Sequence, residues 1–229
     1  MEHPVMLLVW LLEKLGLGGF AHSFYYVAYT WLFMLILIVV GRLAASKPQL
    51  TPGAMQNVAE SILQNLRSFQ DGIMGAKGRP FLPLTATLII FVFFSNFNGL
   101  IPGSASPTAN LNTTLALALV VVVTTHLVGL KTHGWRYVKH FMGPALFLSP
   151  LMIVVELISH CARVLSLSLR LFGNVMGEDL LLAILFLMAG QFFLPLPIMF
   201  LAVFTGFLQS FIITLLGMMY INEALEHAH

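Results

Sequence analysis

Six side chains that can carry charge, or bond to something that does, recur through an otherwise apolar stretch: Glu156, His160, Arg163, Arg170, Asn174 and Glu178. Their separations are 4, 3, 7, 4 and 4 residues. At about 100° per residue of helix, all six fall within roughly 40° of one line, with Ser166 and Gly177 near its edge. Asp179 adjoins Glu178. Carboxylates and an imidazole can relay protons. A guanidinium, with a pKa above about 12, cannot. The order along the stripe is therefore relay, block, relay: Glu156 and His160, then Arg170 with Asn174, then Glu178 and Asp179. A pathway interrupted at its midpoint requires that order. An ionised arginine at membrane depth costs at least about 2.5–3.5 kcal/mol, which a visiting anion can offset. Glu156 and Glu178 lie about 21 and 12 Å from Arg170 along a helix axis, too far to be that anion. The anion can belong to another subunit.

The stripe needs a long helix to carry it. Residues 151–191 contain no proline. At 1.5 Å per residue they make about 62 Å of helix, twice the hydrocarbon thickness of a bilayer. A turn would need punctuation, and only Gly173 and Gly177 offer any. Two spans in place of one would also make six crossings. The reading favoured is one helix tilted about 60° from the membrane normal, far beyond the usual range, and held there by a protein partner. The next helix, about 196–225, pairs with it as an antiparallel hairpin.

The rest of the chain fits a membrane setting. It has 229 residues, 59% hydrophobic and only 9% charged, with net charge +2 and mean hydropathy +0.92. A soluble domain carries about 25% charged residues. The expected fold is all-α and polytopic, one membrane domain over residues 1–229. It has about five embedded helices: a first span at 22–45, a hairpin at 82–130 and the tilted hairpin at 148–225. Pro150 suits a helix first turn. Residues 53–74 differ: Val58, Ile62, Leu63, Leu66, Phe69 and Ile73 recur at helical spacing against Glu60, Gln64, Arg67 and Asp71. That pattern describes an amphipathic helix on the membrane surface, or a connecting helix whose apolar stripe a packed partner covers. Residues 1–20 lack a basic leader and an A-x-A-like cleavage site, which argues against a signal peptide; residues 5–16 read as a short interfacial helix. Asn96, Asn98 and Asn110 are expected to cap helices and close a loop. His126 reads as packing or interfacial, and Arg163 as a structural charge.

Single Cys161 rules out an internal disulfide and a cysteine-based metal or iron–sulfur site; no metal and no cofactor is expected, and no basic patch points to nucleic acid. Arg42, Lys47, Arg67, Lys77, Arg79, Lys131, Arg136 and Lys139 fall on one side of a five-span chain, against Lys14 on the other. The positive-inside bias puts the N-terminus outside and the C-terminus in the cytoplasm.

The run SLSLRLFGN with its following acidic pair resembles the signature of the F-type ATP synthase a subunit family. SNFNGLIPG, PTANLNTTLALAL and the last helix with Gln209 in FLQSFI are similar too. The resemblance implies an ion-translocating stator, not itself catalytic at ATP, in a bacterial inner membrane. Its partners would be a rotor ring of hairpin c subunits, peripheral stalk b subunits, other synthase subunits and the bilayer. Arg170 matches the arginine that attracts ring carboxylates and separates two offset half-channels. Asn174 and Gln209 match its polar neighbours, Asp179 the outer acid with Glu178 beside it, Glu156 a cytoplasmic-side acid, and Ser166 and Arg163 polar positions of the same helix. Where some members carry a histidine seven residues before the glutamine, this chain has Ala202. Two other functions compete. A secondary ion-coupled transporter needs binding residues over several spans and usually internal repeats, and no repeat is evident. A haem-carrying redox subunit needs paired histidines in adjacent spans; only His126 and His160 are candidates, without that pattern.

Overall fold

The computed structural model describes residues 13–14, 24–45, 53–101, 104–134, 137, 149–189 and 195–226. The proposed N-terminal segment 1–20 (Glu13 and Lys14 apart), Lys47, Arg136, Lys139, most of the 190–197 turn, and the tail histidines lie outside the described residues. Among them, six α-helices run in order: α1 (Tyr25–Ala45), α2 (Ala54–Met74), α3 (Leu82–Asn98), α4 (Leu111–His133), α5 (Ser149–Ala189) and α6 (Pro195–Glu226). Five segments are long and apolar enough to cross a membrane: Tyr25–Ala44, Ala54–Asn98, Leu111–His133, Leu151–Met188 and Pro195–Glu226. In the second of these, the spanning stretch is α3, because α2 is strongly amphipathic. The chain is an all-α, multi-pass membrane protein.

α5 is one unbroken helix of 41 residues; neither Gly173 nor Gly177 breaks it. It runs antiparallel to α6, of 32 residues. The Glu178–Thr205 and Arg163–Tyr220 contacts share one register, 15 residues apart on each helix. That register sets Asn174 level with Gln209. α6 packs on α3 and α4 as well as α5, and α4 packs on α5. The core is formed by Leu88, Phe91 and Val92 of α3, Ala118 and Val121 of α4, Leu167, Leu171 and Val175 of α5, and Ile213 of α6.

Lipid is as apolar as leucine, so helices in a bilayer associate through close packing and hydrogen bonds. Small residues sit at these crossings. A Cβ at Gly217 would lie 3.4 Å from Val121, and one at Gly206 3.3 Å from Asn96. The buried hydroxyls of Thr114 and Ser168 meet at 3.2 Å between α4 and α5.

α2 is anchored on its inner side and open on its outer side. Leu66 and Met74 join Ala86, Val128, Met218 and Ile221 in a second cluster, and Phe69 tilts against Phe211 at 5.2 Å. Val58, Ile62 and Leu63 stay exposed. Buried Gln70 has no counterpart in the sequence reading. Its amide donates to the Gly78 carbonyl, and its oxygen accepts from the Thr85 hydroxyl at 2.7 Å. It thereby closes the 3-10 connection Gly75–Phe81 onto α3.

Candidate functional site

The polar stripe of α5 divides into three parts. At the end of the bundle that carries Arg42, Arg79 and Lys131, the stripe turns inward. Arg163 forms a two-pronged ion pair with Glu223 of α6, at 2.7 and 3.2 Å, and its guanidinium lies 4.9 Å above the Tyr220 ring. Planar, bidentate pairing of this kind is arginine's strongest mode. Arg163 therefore ties α5 to α6, in line with its reading as a structural charge. One turn earlier, His160 Nε2 is 3.3 Å from Glu156 Oε1. The His160 ring meets His126 of α4 edge to face, with centroids 4.6 Å apart. His126 Nδ1 is 3.0 Å from the Tyr137 hydroxyl. Burial, then the charges of Glu223 and Glu156, raise the Tyr137 pKa above its ordinary value, so the hydroxyl keeps its proton.

At the opposite end, Glu178 accepts a hydrogen bond from Thr205 of α6. Asp179 faces the α3–α4 connection: its Oδ1 is 3.1 Å from where a Cβ on Gly99 would stand, and Ser106 is 3.0 Å from the same point. Any side chain at 99 would displace the carboxylate. A buried polar cluster adjoins it. Asn96 donates to the Gly206 carbonyl at 3.2 Å and accepts from Thr108 at 2.6 Å; Ser106 meets Thr108 at 2.7 Å and the Ser95 carbonyl at 2.9 Å. Asn98 bonds the Ala105 carbonyl and Ser104, and Asn110 caps α4 through Asn112 N at 2.9 Å. The asparagines thus close the loop as the sequence indicates. The buried Ser95 hydroxyl has no hydrogen-bond partner among the described residues.

The middle of the stripe is open. Arg170, Asn174, Ser166, Gly173 and Gly177 are all exposed. The Arg170 guanidinium reaches Ser166 Oγ at 3.4 Å, and no carboxylate among the described residues is within ion-pair distance of it. A Cβ on Gly173 or Gly177 would meet nothing within 4 Å. The opposite face of the helix, Leu167, Ser168, Leu171 and Val175, is buried on the bundle. Gln209 is half-buried on α6 beside this open face, and Ala202 is buried one turn short of Gly206.

The structure thus brings together Glu156 with His160, Glu178 with Thr205, Asp179 with the Gly99–Ser106 connection, and Arg170 with Ser166, while Asn174 shares the exposed face of Arg170 and lies level with Gln209. Sequence reasoning missed Thr205, Glu223, Tyr137 and the His126–His160 contact. Among the described residues, no group of three His, Cys, Asp or Glu side chains is arranged to hold a metal.

The sequence profile described as ATP synthase A chain matches residues 27–222. ATP synthase subunit a of Syntrophobacter fumaroxidans is 51% identical over 239 residues, covering 100% of both chains. Subunit a of Desulfosudis oleivorans is 48% identical over 229 residues, and that of Geobacter sulfurreducens 46% over 232, each again covering 100% of both chains. With this profile matched across nearly all its length, and with full-length relatives at that level of identity, the chain belongs to the ATP synthase subunit a family.

Proposed function

We propose that this chain is the proton-translocating stator of a rotary synthase, working against a ring of hairpin c subunits and held by peripheral stalk b subunits. The ring's membrane carboxylates pass along the open face of α5. At about 4 Å and an effective dielectric near 20, Arg170 attracts each ionised carboxylate by about 4 kcal/mol. That is enough to favour proton release, and weak enough to let the ring advance. Because a guanidinium never gives up its proton, it also blocks direct leakage between the two sides.

Protons reach the ring past Glu178 and Asp179, beside the polar cluster of Asn96 and Thr108, and leave past Ser166, His160 and Glu156. Asn174 and Gln209, level with each other beside Arg170, hold water or the passing carboxyl. The basic loops set the N-terminus outside and the C-terminus in the cytoplasm, in a bacterial inner membrane. The α5–α6 hairpin lies steeply tilted, because α5 is twice as long as the hydrocarbon core is thick.

One observation carries the reading: Arg170 is exposed at the centre of a membrane helix with no carboxylate among the described residues in ion-pair distance, whereas Arg163, two turns away, has Glu223. An arginine in that position costs several kcal/mol unless a partner supplies the charge. The test is Arg170→Ala in the intact synthase in inverted membrane vesicles. ATP-driven proton pumping should fall to background while membrane-bound ATP hydrolysis shows normal assembly. Coupled pumping that persists in this variant would overturn the assignment.

A further inference from the structure

We infer that His126, on a different helix from the polar stripe, is a proton-carrying residue of the basic-end pathway, and that Tyr137 and Gly129 are built to position it. The inference rests on the stator reading above and adds to it a pair of imidazoles where the stripe alone supplies one.

The seat is specific. Gly129 lies one turn after His126 on α4. A Cβ there would stand 2.3 Å from Tyr137 Cε2 and 2.6 Å from Cζ, closer than atoms approach. The Tyr137 ring therefore lies flat over bare helix backbone, which brings its hydroxyl to 3.0 Å from His126 Nδ1. On the other side, the His126 ring meets His160 at 4.6 Å between centroids, and His160 reaches Glu156 at 3.3 Å. Glu156 side-chain exposure is 40%, against 15% for His160. The other charged and titratable neighbours are engaged elsewhere: Arg163 with Glu223 and Tyr220, and His133 with the Ala224 carbonyl at 3.1 Å.

The proton balance closes. A proton released near Arg170 reaches His160 through water beside Ser166 and converts it to imidazolium. His160 then passes a proton to His126 and returns to neutral. His126 releases one proton to the aqueous side, so one enters and one leaves. Tyr137 stays bonded in both states. Its oxygen accepts from His126 Nδ1–H both when Nε2 is bare and when Nε2 carries the transferred proton. Two imidazolium rings in contact repel each other, so the pair carries one proton at a time.

The experiment uses the intact synthase, assembled in inverted vesicles and then stripped of its soluble sector, with passive proton conductance measured from pH 6 to 8. His126→Gln and His126→Asn keep a polar side chain that does not titrate. Each should lower conductance about tenfold and flatten its dependence on pH across the window where imidazole titrates. In His126→Ala, added imidazole should restore conductance. Tyr137→Phe, which keeps the ring in its seat, should give a smaller loss of about threefold. Wild-type conductance and an unchanged pH profile in assembled His126→Gln would overturn the inference. With Arg170→Ala run alongside, the two readings separate: retained pumping in that variant refutes the stator reading and this inference together, whereas lost pumping there with unaltered His126 variants refutes this inference alone.

Discussion

Filling the bare face beside Arg170 should stabilise the helix and slow the pump about tenfold. Gly173 and Gly177 flank Asn174 on the exposed side of α5, and a Cβ at either would meet nothing within 4 Å among the described residues. Glycine in a helix interior costs roughly 0.5–1 kcal/mol relative to alanine. In Gly173→Leu or Gly177→Leu, the isolated subunit should therefore gain up to about that much. A rotor helix gliding along this face would meet a different surface. Helix axes approach to about 8 Å over small residues and stand off at about 10 Å over large ones. A leucine thus moves the track back by as much as about 2 Å. At an effective dielectric near 20, attraction between Arg170 and a ring carboxylate then falls from about 4.2 to about 2.8 kcal/mol as the gap widens from about 4 to 6 Å. The loss, close to about 1.4 kcal/mol, corresponds to about a tenfold smaller capture of the carboxylate. Each single variant should therefore pump roughly tenfold more slowly, measured by acridine-dye quenching in inverted vesicles. Assembly, scored by membrane-bound ATP hydrolysis, should be normal or improved. If Gly173→Leu/Gly177→Leu pumps at the wild-type rate with wild-type assembly, the open face of α5 is not the rotor track.

Other outcomes follow from the two ends of the bundle. Glu178→Gln and Asp179→Asn should each slow ATP-driven pumping severalfold, and the double variant more. Unchanged rates in all three would remove these acids from the pathway. Thr205→Val removes the hydroxyl that Glu178 accepts from, with little change of volume, and should mimic Glu178→Gln more weakly, while Thr205→Ser should pump normally. Gln70→Ala unties the Gly75–Phe81 connection and leaves the Gly78 carbonyl without its donor, while the Thr85 hydroxyl keeps only the Phe81 and Leu82 carbonyls. It should lower stability by about 1–3 kcal/mol, seen as a lower melting point of the detergent-solubilised complex, without altering pumping per assembled complex.

The helices were legible because apolar length is a strong signal, and the stripe was legible because angular position within one helix follows from spacing alone. Both place Arg170 and Asn174 on a common face without knowledge of any neighbour. What stayed hidden depends on register between helices. Nothing in the spacing of α5 shows that Arg163 would stand opposite Glu223, or that His160 would face His126 across α4. Thr205 was hidden for a further reason. A threonine in an apolar helix normally turns its hydroxyl back to its own backbone, and Thr205 does bond the Leu201 and Ala202 carbonyls, both at 3.1 Å, in addition to Glu178. Gln70 was hidden because an amide near the edge of an amphipathic stripe looks solvated until the connection after the helix folds over it. Gly129 gave no sign at all, since the ring that fills its place comes from beyond the end of α4.

The distribution of acids explains why the centre of the stripe has to be completed from outside. The chain contains only 9 aspartates and glutamates. Two of them, Glu156 and Glu223, serve the basic end, and Glu178 and Asp179 serve the other. The positions one turn from Arg170 on its own face, Ser166 and Asn174, are neutral. An acid at either would sit at i,i+4 spacing, where opposite charges pair readily, and it would be permanently present. A rotor carboxylate arriving from the ring would then have to displace an intramolecular partner with no entropy to lose. With serine and asparagine instead, Arg170 keeps a hydrogen bond to Ser166 Oγ at 3.4 Å and has no counter-charge among the described residues. The neutral neighbours are therefore as much a part of the device as the arginine. On the stator reading proposed above, they would leave the guanidinium solvated enough to be tolerated and unpaired enough to attract each ring carboxylate in turn.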